Sequence, residues 1–224
     1  MDFISVFDVI GPNMIGPSSS HTAGAVSIGL LARKLFGRGI HKVTFYLYGS
    51  FAKTYRGHGT DKALLGGILG FQTDDIRIKD AIRLAEEKGL VFKFIPQDGI
   101  ETAHPNTVDI EMEDKDGYQQ TVRGESIGGG KVRIVRINRI DVEFTGEYST
   151  LIVKQSDKPG VVAYISKCLA DHQVNIAFLR MFREEKGATA YTVVEADESI
   201  PADILKRLEE NSNIKELTLI QGGH

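Results

Sequence analysis

The first clear periodic run along the chain places Ile28, Leu31, Ala32 and Leu35 on one face of a helix. The pattern then changes to the alternation of residues 42–48 (Lys-Val-Thr-Phe-Tyr-Leu-Tyr), which predicts a strand. A polar, glycine-rich stretch at 49–61 follows, and helical spacing resumes from Lys62 to Leu69. Residues 79–88 predict an exposed helix with Asp80, Glu86, Glu87 and Lys88 on its polar side. Strands are expected at 91–95, 107–113, 118–124 and 131–137, the middle two joined by a turn at Asp116-Gly117.

The C-terminal third has a more regular order. Residues 149–154 predict a strand, the turn Gln155 to Gly160 leads into helical spacing at 161–171, and 174–183 and 188–196 predict a hairpin over Glu184 to Gly187. Pro201 opens a helix that carries Ile204, Leu205 and Leu208, and 214–220 is a final strand. The order β-α-β-β-α-β is that of a ferredoxin-like unit, an antiparallel sheet with helices on one face. The expected fold class is therefore α+β, with a mixed α/β domain over 1–146 and a ferredoxin-like domain over 148–224.

Composition limits the choices without deciding among them. The 224 residues are 42% hydrophobic and 25% charged, as in ordinary globular proteins. Residues 148–224 hold 9 Lys and Arg against 11 Asp and Glu, and the remainder 18 against 19, so neither part carries the basic footprint of nucleic-acid binding. No apolar run reaches the roughly 18–20 residues that span a membrane. The start, Met-Asp-Phe-Ile-Ser, lacks the basic and apolar regions of a signal peptide, so a cytoplasmic location is expected. Cys168 is the only cysteine, which excludes an internal disulfide and a cysteine-ligated cluster within this chain. Its place among Val161, Val162, Ile165 and Leu169 predicts a small buried hydrophobe.

Candidate chemistry gathers in two places. Residues 16–22, Gly-Pro-Ser-Ser-Ser-His-Thr, place Ser18, Ser19, Ser20, His21 and Thr22 just before a helix. One hydroxyl caps a helix start, and the surplus suits a small anion such as a carboxylate as well as it suits rich capping. Residues 57–61, Gly-His-Gly-Thr-Asp, repeat that arrangement with His58, Gly59, Thr60 and Asp61. Two histidines in polar turns beside helix starts suggest one shared site. His104, in His-Pro-Asn-Thr, either joins that site or caps a turn, whereas His41, His172 and His224 have no polar cluster around them. Gly128-Gly129-Gly130 lacks the spacing of a phosphate-binding loop and is expected to be a hinge or a point of tight packing.

The C-terminal domain resembles the ACT domain through Asp157-Lys158-Pro159-Gly160-Val161 and Asn175-Ile176. That resemblance implies pairing with a second copy. It also marks Asp157, Pro159, Gly160, Val161, Asn175 and Ile176 as candidates for binding an amino-acid effector, though the same loop is also readable as a plain turn. With both polar motifs, the triple glycine and the ACT loop in this order, nearly the whole chain resembles the beta subunit of bacterial iron–sulfur-dependent L-serine dehydratases. Its first part is also similar to the allosteric substrate-binding domain of some phosphoglycerate dehydrogenases. The resemblance implies a lyase that takes water and then ammonia from L-serine, leaving pyruvate. It further implies an alpha subunit that carries an iron–sulfur cluster (4Fe-4S) as Lewis acid, with no metal on this chain. On this view Ser18, Ser19, Ser20, Thr22, Gly59, Thr60 and Asp61 bind substrate, and His21 or His58 is a candidate general base. The other reading is a regulatory, amino-acid-sensing subunit without catalytic residues.

Overall fold

A computed structural model describes residues 13–222. The expectation for the first five residues and the reading of His224 lie outside the described residues. The chain forms two units, Met1–Asn138 and Arg139–His224.

In the first unit a π turn, Ser19–Ala23, runs into helix α1, Gly24–Phe36. Then come β1 (Lys42–Leu47), α2 (Gly49–Thr54) and α3 (Thr60–Leu69). A 3-10 turn at Ile76–Asp80 leads into α4 (Ala81–Glu87), followed by β2 (Val91–Pro96), β3 (Thr107–Glu113), β4 (Gln119–Gly128) and β5 (Lys131–Ile137). These five strands lie in one sheet in the order β2-β1-β3-β4-β5. The β1–β2 pair is parallel and the other pairs are antiparallel, so the sheet is mixed. The buried side chains of α1, among them Val26, Ile28, Leu31 and Leu35, form the core with Val43, Phe45, Leu47, Val108, Ile110 and Val122 of the sheet.

Glycine contacts set the position of the helices. A Cβ on Gly29 of α1 would lie 2.6 Å from the Leu64 carbonyl oxygen and 3.0 Å from Gly67 Cα in α3. One on Gly67 would lie 2.8 Å from Gly29 Cα and closer still to the Val26 carbonyl oxygen. The two backbones therefore touch where neither helix has a side chain. On β4 a Cβ at Gly124 would press into Ile28, so α1 also lies close against the sheet.

The second unit begins with β6 (Ile140–Phe144) and continues through β7 (Ser149–Ser156), α5 (Val161–Asp171), β8 (Ile176–Arg183), β9 (Thr189–Ala196), α6 (Asp203–Glu209) and β10 (Ile214–Ile220). Four of its strands form an antiparallel sheet in the order β10-β7-β9-β8, the ferredoxin-like arrangement. Its core joins Leu151, Val153 and Val194 of the sheet to Ile165, Leu169, Ile204 and Leu208 of the helices.

Three details differ from the pattern-based expectation. Gly49–Thr54 is a helix, too short at six residues to show a period. Ile140–Phe144 is a strand with Ile140, Val142 and Phe144 buried, which follows β5 after a turn held by Asn138 at φ 55°. The triple glycine is neither hinge nor packing point but the β4–β5 hairpin turn. Gly128 pairs with Lys131, and Gly128, Gly129 and Gly130 all have positive φ (104°, 60° and 82°), which glycine adopts without steric cost.

Gly67→Ala is expected to destabilise the protein by about 1–3 kcal/mol, since a methyl there meets backbone that has little room to move. Gly39→Ala, where a Cβ meets nothing within 4 Å, is expected to change stability by less than about 0.5 kcal/mol. Chemical denaturation of both variants checks the contrast.

Candidate active site

The α1–α3 contact places the two polar motifs side by side. At the start of α1 the amide of Gly24 donates to the carbonyl of Ser19, five residues back, which makes the turn wider than an α-helical one. Ser18 caps this turn: its Oγ accepts the His21 backbone N–H at 3.1 Å and lies 3.3 Å from His21 Nδ1. Gly16, at φ 129°, lets the incoming chain pass over Thr22, whose Oγ1 would lie 2.7 Å from a Cβ there. Thr22 Oγ1 donates to the His58 carbonyl at 3.4 Å and so ties the first motif to the second. The rings of His21 and His58 meet edge to face, their centroids 4.9 Å apart.

The two histidines have different surroundings. His21 is half-buried, with Phe51 on another side of its ring at 5.5 Å, and its Nε2 lies 2.9 Å from Ser50 Oγ. Burial holds its imidazole below the ordinary histidine range, and a charge on His58 would push it the same way. His58 is exposed, and its ring makes no hydrogen bond to another described residue.

Gly59, in left-handed conformation at φ 71°, turns the chain into α3. Thr60 is fully buried, and its Oγ1 has no hydrogen-bond partner among the described residues. Asp61 is half-buried in the first turn of α3 and accepts the Lys62 N–H at 2.8 Å. Burial raises its carboxyl above the usual range, against the bond and charge of Lys62 and the charge of Arg56. The hydroxyls of Ser19 and Ser20 bond to no other described residue.

Sequence reasoning missed three neighbours. Ser50 had been noted only as part of the 49–61 stretch, without a role. Ser126, on β4, donates its hydroxyl to the Ser20 carbonyl at 2.9 Å. Asn106 donates its side chain toward the Ser126 carbonyl at 3.5 Å, and its Oδ1 is buried without a partner. Nothing local marks these residues, because their partners lie tens of positions away. His104 is a turn cap: its Nδ1 accepts the Asn106 N–H at 3.2 Å and its carbonyl accepts from Thr102 and Thr107.

In the second unit Gly160, at φ 88°, leads into α5, with Pro159 exposed and Val161 buried. Asp157 is engaged within the unit, where its Oδ2 accepts the Gly187 N–H at 2.9 Å and faces Arg183 at 3.4 Å. Asn175 is exposed and Ile176 half-buried at the start of β8. Cys168 is fully buried among Val161, Ile165 and Leu169, the place expected of a small buried hydrophobe. No helix among the described residues is long and apolar enough to cross a membrane.

A mixed-sheet unit with paired helix-start motifs, followed by a ferredoxin-like unit, defines a two-module protein whose second module is an ACT domain, and residues 149–213 match that family. Residues 5–88 match the family described as serine dehydratase beta chain. The chain is 44% identical over 220 residues to the "Probable L-serine dehydratase, beta chain" of Bacillus subtilis, covering 98% of this chain and 99% of that one. It is 43% identical over 196 residues to the "L-serine dehydratase, beta chain" of Peptoniphilus asaccharolyticus, covering 88% of each. A more distant similarity, 24% over 200 residues, reaches a D-3-phosphoglycerate dehydrogenase of Methanocaldococcus jannaschii and covers 88% of this chain but 37% of that one. The chain belongs to the family of L-serine dehydratase beta chains.

The half-buried carboxyl of Asp61 gives a stability prediction of definite sign. Its pKa is higher folded than unfolded, so the folded state holds this proton more tightly, and stability is lost as pH rises through the folded value. Asp61→Asn, which cannot ionise, is therefore expected to melt higher than the parent at pH 7, with the gap closing toward pH about 4. Melting curves across that range test it, and a lower melting temperature at pH 7 contradicts it.

Proposed function

We propose that this chain is the amino-acid-holding part of an L-serine dehydratase, and that the complete enzyme converts L-serine to pyruvate and ammonia. The observation that supports this most directly is the meeting of His21 and His58, ring centroids 4.9 Å apart, beside a helix start rich in hydroxyls. An amino acid brings a carboxylate and an ammonium. The carboxylate suits the π turn, where Ser19 and Ser20 have hydroxyls to donate and the helix dipole favours negative charge. Ser18 and Thr22 hold that turn in shape through their bonds to His21 and His58.

The ammonium suits Asp61, whose carboxylate is costly to bury alone and gains from a cation. Thr60 has a hydroxyl without a partner among the described residues at the same helix start, and Gly59 keeps the chain between His58 and α3 free of a side chain. His58, exposed and with both ring nitrogens unengaged among the described residues, takes the α-proton, while His21 stays neutral beside it. Loss of the β-hydroxyl as water leaves an aminoacrylate, which hydrolyses to pyruvate and ammonia. Departure of that hydroxyl calls for a Lewis acid, which we assign to an iron–sulfur cluster (4Fe-4S) on a partner alpha chain, since a lone cysteine cannot supply a cluster's set of thiolates. We assign self-association to the ACT domain, where β8 is a sheet edge with Phe178 and Leu179 exposed.

With the alpha chain present, His58→Ala is expected to lower turnover by about 100- to 10,000-fold while leaving the complex assembled. His21→Ala is expected to lower it as well, and near-parental turnover in either variant removes that histidine from the reaction. Expression of the chain alone and with a cysteine-rich alpha chain tests the wider reading. An inactive chain alone and an active complex are expected. An alpha chain fully active alone, whose serine dependence this chain merely shifts, would favour a sensing subunit.

A further inference from the structure

We propose that Ser50 is a positioning residue that clamps the His21 imidazole in one neutral tautomer and one ring orientation. This deepens the reading above and rests on it only where turnover is concerned. The clamp itself is a matter of geometry. His21 has a hydroxyl at each ring nitrogen, Ser18 Oγ at 3.3 Å from Nδ1 and Ser50 Oγ at 2.9 Å from Nε2. Ser18 Oγ already accepts the His21 backbone N–H, and its remaining lone pair suits an Nδ1–H donor. The Ser50 O–H then donates to Nε2. A neutral imidazole has one donor and one acceptor nitrogen, so a Ser18 oxygen that accepts and a Ser50 hydroxyl that donates match the tautomer protonated at Nδ1.

Ser50 is held firmly enough to act as a clamp. Its backbone N–H donates to the Pro105 carbonyl at 2.7 Å, and its own carbonyl accepts from Thr54 Oγ1 at 2.8 Å. Gly49, at φ 53°, brings the chain so close to Pro105 that a Cβ would sit 2.5 Å from the Pro105 carbonyl oxygen. The hydroxyl therefore reaches His21 from a first helical turn fixed at both backbone groups. Phe51, the next residue, stands against the same imidazole at 5.5 Å and limits its tilt. The consequence is a division of labour. The Nε2 lone pair of His21 is occupied by Ser50, and the ring that remains open to exchange a proton is that of His58.

The test combines imidazole nitrogen NMR on the full chain with turnover of the complex reconstituted with its alpha chain. Parental His21 is expected to show the nitrogen shifts of a single tautomer, with Nδ1 protonated. Ser50→Ala is expected to move those shifts toward the averaged values of a ring exchanging tautomers. It should lower kcat on the order of 10- to 100-fold with a smaller change in KM. Ser50→Thr, which keeps the hydroxyl, is expected to restore both. A parental His21 already averaging between tautomers overturns the proposal, and that measurement needs no variant. So do unchanged His21 shifts in a folded Ser50→Ala. If the shifts move as expected but His21→Ala retains full turnover, the clamp stands and the catalytic reading of His21 falls.

Discussion

The site depends on a place where two helices touch through bare backbone. Gly29 and Gly67 let α1 and α3 approach until a Cβ on either would meet the other's main chain. Any side chain there would push the axes apart, and the residues at the helix starts would move with them. The bond from Thr22 to the His58 carbonyl and the edge-to-face contact of the two imidazoles both span that gap. Both interactions are short-ranged, so they form only because the helices are already close. The dense apolar packing of α1 on the sheet, with Ile28 seated over Gly124, supplies the stability that holds this arrangement.

Electrostatics around the site push two of its ionisable groups away from their ordinary behaviour. Burial disfavours charge on both His21 and Asp61, which leaves one neutral and the other in want of a cation. The buried, unpartnered Thr60 hydroxyl and Asn106 Oδ1 belong to the same picture. A polar atom left without a partner costs stability, and neither of these has one among the described residues. In the second unit Asp157 shows the opposite case, a carboxylate committed to the Gly187 amide and Arg183.

The sequence showed the order of the elements and the two motifs well, because helical spacing at Ile28 to Leu35 and alternation in the strands are local signals. It also pointed to His21 and His58 as neighbours through the repeated grammar of their turns. It was silent on α2, whose six residues are too few for a period, and on β6, whose five residues follow directly after a tight turn. It misjudged the triple glycine, since a row of glycines looks the same whether it hinges domains or closes a hairpin. The largest omission was Ser50 together with Ser126. Each meets the first motif across a wide sequence gap, 29 residues from His21 in one case and 106 from Ser20 in the other, and such pairings exist only in the folded chain. Asp157 was read from its own loop alone, whereas its partners lie on the β8–β9 hairpin.

The π turn at Ser19–Ala23 acts as a phase shift in the chain. In an unbroken α-helix His21 would stand one heptad ahead of Ile28, on the stripe that faces the core. The extra residue in the turn moves everything before Ala23 out of register with that stripe, by roughly 100° around the axis. Counting residues therefore matters here as much as their chemistry. The same residues wound as an unbroken α-helix, with none lost, would aim His21 at the apolar interior rather than at Ser50 and His58.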